Sequence, residues 1–168
     1  MAISMYAASV PVFQRQLGAI GKVLDKAAAH FAAKKVADEV LLQTRLYPDM
    51  FPLARQVQIA ADFAKSTPAR LAGIEFPAWE NTEKTLAELK ARIDKTLAYV
   101  ATFKPGQIDG SEEREITLPI GGNPMTFKGE VYLLHFALPN FYFHCATAYD
   151  ILRQGGLEIG KRDFIGGL

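Results

Sequence analysis

The sequence predicts a mainly all-α fold: one domain over residues 1–168, built on four long helices, with a small β-hairpin inserted before the last. Three observations carry this. Apolar residues recur at steps of three and four in four separate stretches, which is the helical period. Proline, glycine and asparagine clusters separate those stretches. One segment only, residues 107–128, alternates with the period of two that a strand needs.

In the first stretch Tyr6, Val10, Phe13, Leu17, Ile20, Leu24, Ala27 and Phe31 step alternately by four and three. They share one face of a helix over about residues 4–33, which Pro11 is expected to kink. Residues 34–48 read as a connection with a short turn of structure. A second helix begins at Tyr47-Pro48-Asp49, with Asp49 as cap and Pro52 in the first turn. Its apolar face holds Met50, Leu53, Val57, Ala60 or Ala61, and Ala64. Ser66-Thr67-Pro68 is expected to interrupt it, with a short continuation capped by Thr67 and ending at Gly73. Ile74 to Glu80 is a loop, after which Asn81 or Thr82 caps a third helix carrying Leu86, Leu89, Ile93, Leu97 and Val100. Lys104-Pro105-Gly106 stops that helix. Ile116, Leu118 and Ile120 then alternate with Thr117 and Pro119, and Gly121-Gly122-Asn123-Pro124 supplies the hairpin turn. The fourth helix runs from about Glu130 to Arg153, with Val131, Leu134, Leu138, Phe141, Cys145, Ala148 and Leu152 as its predicted core stripe. Tyr132, Phe136 and Phe143 fall on nearly the opposite side. They call for cover from the hairpin, the C-terminal tail or a second subunit. Pro139 is expected to kink this helix.

The formal net charge is +1, and bases are interspersed with acids. Nothing here favours nucleic acid or an anionic membrane as partner. There is no run of 18 apolar residues to span a bilayer and no signal peptide at Met1-Ala2-Ile3-Ser4-Met5-Tyr6. The single cysteine, Cys145, fits a reducing compartment, so the expected location is cytoplasmic. Cys145 also falls on the predicted core stripe and reads as a small hydrophobe.

Metal is the first chemistry to ask of a helical bundle, because facing helices can project ligands inward. The histidines are His30, His135 and His144. His135 and His144 stand about 180° apart around an ideal helix and roughly 13 Å apart along it, too far to share an ion. No His-x3-His or Cys-x2-Cys pattern occurs. His30 near a helix end reads as a cation at the C-terminal dipole. Asn140 and His144 are spaced i,i+4 and can face one pocket. His144 would then be a ligand, an acid/base or a hydrogen-bonding group. The plainer reading has Asn140 satisfying a carbonyl freed by Pro139, with His144 a structural histidine. Arg45 and Asp49 either orient a ligand or contact the last helix, or else pair to fix the loop onto helix two. Gln56 and Asp62 read as a solvated or flanking set. The glycine-rich tail lacks a phosphate-loop pattern, and Asp163 and Phe164 are expected to dock it on the bundle.

Three strings carry a family resemblance: Pro139-Asn140-Phe141-Tyr142-Phe143-His144, Ala148-Tyr149-Asp150-Ile151-Leu152-Arg153 and Ile159-Gly160-Lys161-Arg162-Asp163-Phe164. A fourth is Arg45-Leu46-Tyr47-Pro48-Asp49-Met50-Phe51-Pro52-Leu53, with Gln56-Val57-Gln58. Across nearly the whole chain the sequence resembles a bacterial family of unknown function grouped with the DinB/YfiT-like bundles, a superfamily of proposed metalloenzymes. The resemblance implies a DinB-like four-helix bundle with a long crossover, often a homodimer. Better-known members hold a divalent metal through one histidine on the second helix and a His-x3-His pair on the last. Some are thiol-dependent transferases or isomerases. Here only His144 matches one position of that pair, and Asn140 stands where its partner would be.

The leading expectation is a homodimeric DinB-like bundle with no intact metal site and no cofactor. Its pocket, lined by Arg45, Asp49, Asn140, His144 and Tyr149, would bind a small ligand. One alternative is a transferase or hydrolase dependent on zinc, nickel or iron, with His144 and Asp49 among the ligands. The other is a structural or partner-binding dimer with Tyr132, Phe136 and Phe143 in its interface.

Overall fold

Helix α1, Val10–Ala33, follows a hydrogen-bonded turn in which the Ala8 N–H bonds to the Ser4 carbonyl at 2.9 Å. The computed structural model describes residues 3–167; Met1, Ala2 and Leu168 lie outside them. Pro11 stands in the first turn of α1, where its missing N–H would have had no helical partner. The predicted start near residue 4 and the predicted kink are therefore both corrected. Short helix α2, Asp38–Gln43, lies in the connection.

Helix α3, Leu53–Ala72, starts with Pro52, not Asp49, at its cap and runs unbroken through Ser66-Thr67-Pro68. Interior proline costs about 3 kcal/mol, and complete burial of Ala69 and Leu71 offsets a cost of that size. Gly73 ends α3 in the left-handed region at φ 69°, and its N–H and that of Ile74 bond back to Arg70 and Ala69. Helix α4, Leu86–Val100, is capped by Thr85 and not by Asn81 or Thr82. Thr85 and Glu88 form a reciprocal box with bonds of 3.1 and 3.2 Å. The Asp38 carboxylate adds a cap from outside by accepting the Leu86 N–H at 2.9 Å.

After short helix α5, Pro105–Ile108, come strands β1, Glu115–Ile120, and β2, Asn123–Lys128. They pair antiparallel from Glu115↔Lys128 to Ile120↔Asn123. The turn is Gly121-Gly122 alone, both at positive φ (59° and 85°), as the tightest hairpin requires. Pro119 faces Pro124, one step from the turn-closing pair. That is a position without ladder bonds, so neither proline removes one.

The last long helix has three parts: α6, Gly129–Val131, a π-helical segment, Tyr132–Ala137, and α7, Leu138–Gln154. The π segment takes up more residues per turn and so rotates everything before it. Gly129, Leu133, Ala137, Phe141 and Cys145, spaced by fours, are the buried line. Val131 and Leu134, two of the predicted core residues, are exposed. Tyr132, predicted on the far side, is wholly buried, so it offers nothing to a subunit interface. The hairpin covers two of the three aromatic residues predicted on that side: the Phe127 ring lies 5.4 Å from that of Phe136 and 6.4 Å from that of Tyr132, while Phe143 stays exposed. Tyr132 also accepts a 2.9 Å bond from Arg70.

Around the bundle α1 packs on α4, α4 on α3, α3 on α7, and α7 closes on α1. Helix α8, Lys161–Ile165, docks on α1 as the sequence anticipates. Lys26 pairs with Asp163 at 2.6 Å, and Gln16 donates to the Phe164 carbonyl at 2.9 Å. Among the described residues no helix is long and apolar enough to cross a membrane.

The π segment makes a contrast that a regular helix would reverse. Leu133→Ala should cost about 2–5 kcal/mol in urea unfolding, and Leu134→Ala less than about 1 kcal/mol. Equal losses at the two positions would contradict the observed phase.

Candidate functional site

His144 stands on α7 beside the buried line of Phe141 and Cys145 and is almost covered, at 8% exposure. Its ring stacks over Phe63 at 6.4 Å and meets the edge of Phe143 at 5.3 Å. Its Nδ1 lies 2.7 Å from the Oε1 of Gln56, which is buried in the first turn of α3. The amide of Gln56 is oriented from its other end, because its Nε2 donates to the Phe51 carbonyl at 3.0 Å. Oε1 can only accept, so Nδ1 carries the imidazole proton and Nε2 keeps its lone pair.

The segment before α3 is closed by bonds of its own. Leu53 N–H donates to the Thr44 carbonyl and Met50 N–H to the Tyr47 carbonyl. Arg45 donates to the Met50 carbonyl. These bonds hold Asp49, Met50 and Phe51 over His144, and with Gln56 and Phe143 they line an open pocket of about 200 Å³. Burial lowers the His144 pKa to about 4, and the nearby Arg55 charge works in the same direction. The imidazole is therefore neutral at pH 7. No hydrogen bond from within the described chain reaches Nε2, so the histidine that lines this pocket keeps an unused acceptor.

Of the residues singled out in the sequence, the structure brings Asp49 and His144 together here. Arg45 stands behind the pocket as a support, and it does not pair with Asp49. Asn140 and Tyr149 are elsewhere. Asn140 Nδ2 donates to the Phe136 carbonyl at 2.7 Å, a structural role, though this is not the carbonyl that Pro139 frees. Tyr149 packs edge-on against Phe164 at 5.6 Å, on the tail. Gln56 is the residue that sequence reasoning set aside. Its one signal was its place in the Gln56-Val57-Gln58 string, since nothing local points to a partner on α7.

The metal expected of the superfamily finds no matching donor set. Among the described residues no three His, Cys, Asp or Glu side chains converge. Gln56 and His144 face each other across α3 and α7 but are bonded to one another. Burial in the core pushes the Cys145 thiol far up, which suits a packing residue and not a nucleophile.

A wider groove of about 540 Å³ lies over Trp79, Arg92 and Lys95. Its charges are largely spent on one another. Arg92 bonds Glu83 at 2.7 Å, Asp62 at 3.1 Å and the Glu80 carbonyl at 2.9 Å. Burial raises the Glu83 pKa, but the bonds to Arg92 and Gln58 outweigh it and hold the carboxyl below its ordinary value. Lys65 and Lys95 lie 4.5 and 4.4 Å from the Trp79 ring centre. This cluster fastens the loop after α3 to α3 and α4.

Comparison with known proteins agrees with the fold. Residues 5–165 match the model of the family described as "Domain of unknown function (DUF1993)". A crystal structure of a DinB family member protein from Shewanella denitrificans superposes with a TM-score of 0.90 at 39% identity. The match covers 97% of this chain and 92% of that one. No curated protein matches the chain.

The tautomer and the depressed pKa have a measurable signature. Nitrogen-15 spectra at pH 7 should show Nδ1 protonated and Nε2 bare, with protonation setting in only near pH 4. The folded state resists a proton that the unfolded state accepts, so this part of the stability is complete above the ordinary value of 6.5 and is lost as pH falls towards 4. With solvent screening through the open pocket the full loss is on the order of 2 kcal/mol. It precedes that from Glu83 and Asp163, whose ordinary values are 4.5 and 3.8. A His144→Gln variant should lack the upper part of the slope.

Proposed function

This chain belongs to the DUF1993 family, and on that premise we propose that it is a DinB-like bundle protein that binds a small ligand without a metal. The observation that carries the reading is the state of His144. Its Nδ1–H is committed to Gln56, its Nε2 has no hydrogen-bond partner among the described residues, and the residue lines a pocket with Met50, Phe51 and Phe143. A few fixed polar groups in a mostly apolar recess are what small-molecule recognition uses. Nε2 accepts a hydrogen bond from the ligand, or its proton if the ligand is acidic enough. Asp49 at the rim adds a charge that sorts ligands by sign. Gln56, itself fixed by the Phe51 carbonyl, acts through His144 by holding its ring and its tautomer.

The test is a fragment screen read by the ring C–H resonances of His144 and Phe143. Fragments bearing a hydrogen-bond donor should shift both signals. His144→Ala should abolish their binding, with the thermal midpoint confirming that the variant is folded. A screen that leaves both residues untouched would overturn the proposal. Equimolar zinc, nickel or ferrous iron should leave the midpoint of untagged protein unchanged. Stoichiometric metal that His144→Ala removes would transfer the site to the metalloenzyme reading.

A further inference from the structure

The same pocket also specifies a ligand class, an inference that rests on the reading above. The open polar side-chain groups in its lining are acceptors. His144 Nε2 offers a lone pair, and the exposed Asp49 carboxylate has no side-chain partner among the described residues. The possible side-chain donor, the amide of Gln56, is 1% exposed and already bonded at both ends. Arg45, exposed and bonded to the Met50 carbonyl, does not line the pocket. Arg55 does not line the pocket; its guanidinium lies over the Phe51 ring, 5.9 Å from its centre. The remaining walls are Met50, Phe51 and Phe143, and the space of about 200 Å³ admits one ring or a short branched chain.

We propose that the pocket takes a small apolar molecule bearing a primary ammonium group, which donates to His144 Nε2 and to the Asp49 carboxylate at once. Two acceptors need two donors on the ligand, and an ammonium brings three. A carboxylate would meet two acceptors and no free side-chain donor. A hydroxyl would satisfy one acceptor and leave the charge of Asp49 unanswered. The apolar body lies against Phe51 and Phe143, whose ring faces favour a neighbouring cation. The Arg55 charge helps to keep the imidazole neutral and so an acceptor; it bears on the ammonium too, so binding of the cation relies on the Asp49 carboxylate.

Benzylamine, benzyl alcohol and benzoate share one ring and differ in the group that matters. Calorimetry at pH 7, with the His144 ring resonances followed in parallel, compares them on the wild-type chain. Benzylamine should bind most tightly and shift His144, and benzoate should not bind. Asp49→Asn, a change at an exposed side chain, should weaken benzylamine about fivefold and leave benzyl alcohol unchanged. Benzyl alcohol or benzoate binding as tightly as benzylamine, with His144 shifted, would overturn the amine class and leave the pocket reading standing. An Asp49→Asn variant, folded by its thermal midpoint, that binds benzylamine at full strength would overturn it as well. If none of the three moves His144, the amine proposal falls, and the fragment screen decides separately whether the pocket reading falls with it.

Discussion

The fold turns on a change of helical pitch between Tyr132 and Ala137. Pro139 cannot donate a backbone bond, and the π-helical turn before it shifts the register by which the upstream residues face the bundle. Tyr132 and Leu133 turn inward, Val131 and Leu134 turn outward, and Phe136 is left beside the hairpin. The inserted hairpin thus has a reason to be where it is. It supplies Phe127 to a face that the rotated helix would otherwise leave wet. Just after Pro139, the Asn140 amide fastens to the Phe136 carbonyl one turn back. Downstream the ordinary pitch resumes and carries His144 to the edge of the core.

The pocket depends on a relay that starts far from any ligand. Arg45 fixes the Met50 carbonyl, the loop fixes Phe51, Phe51 fixes the amide of Gln56, and Gln56 fixes the proton of His144. Each step is a main-chain or amide contact with one sensible donor, so the tautomer is set by geometry and not by solvent. Without Gln56 the ring would be free to place its proton on either nitrogen.

Much of the fold was legible because 3–4 spacing is a local property, and α1, α3 and α4 each repeat it for several turns. What failed had two sources, contacts with distant residues and local signals that competed with stronger-looking ones. Pro68 reads as a break, yet α3 passes through it because Ala69 and Leu71 are buried by other helices. Asn81 and Thr82 read as caps, but only Thr85 has a glutamate three residues on to complete the box. The stripe Val131, Leu134, Leu138 reads as core because a π turn leaves no mark in composition. At the site, His144 was visible as an isolated histidine in an apolar helix. Gln56 was not, since its partner lies 88 residues away. Arg45 and Asp49 were visible as a pair, but their roles proved separate: one supports the loop and the other faces the pocket.

The docking of α8 carries a consequence for how the chain assembles. The polar side of α1 is completed by Asp163 and the Phe164 carbonyl, 137 and 148 residues further along. Emerging from the ribosome, α1 must therefore wait while nearly the whole bundle is synthesised before Lys26 and Gln16 find their partners. Closing so long a loop is a slow entropic step that local helix formation cannot hurry. The apolar face of α1 waits less long, because α4, against which it packs, ends at Val100.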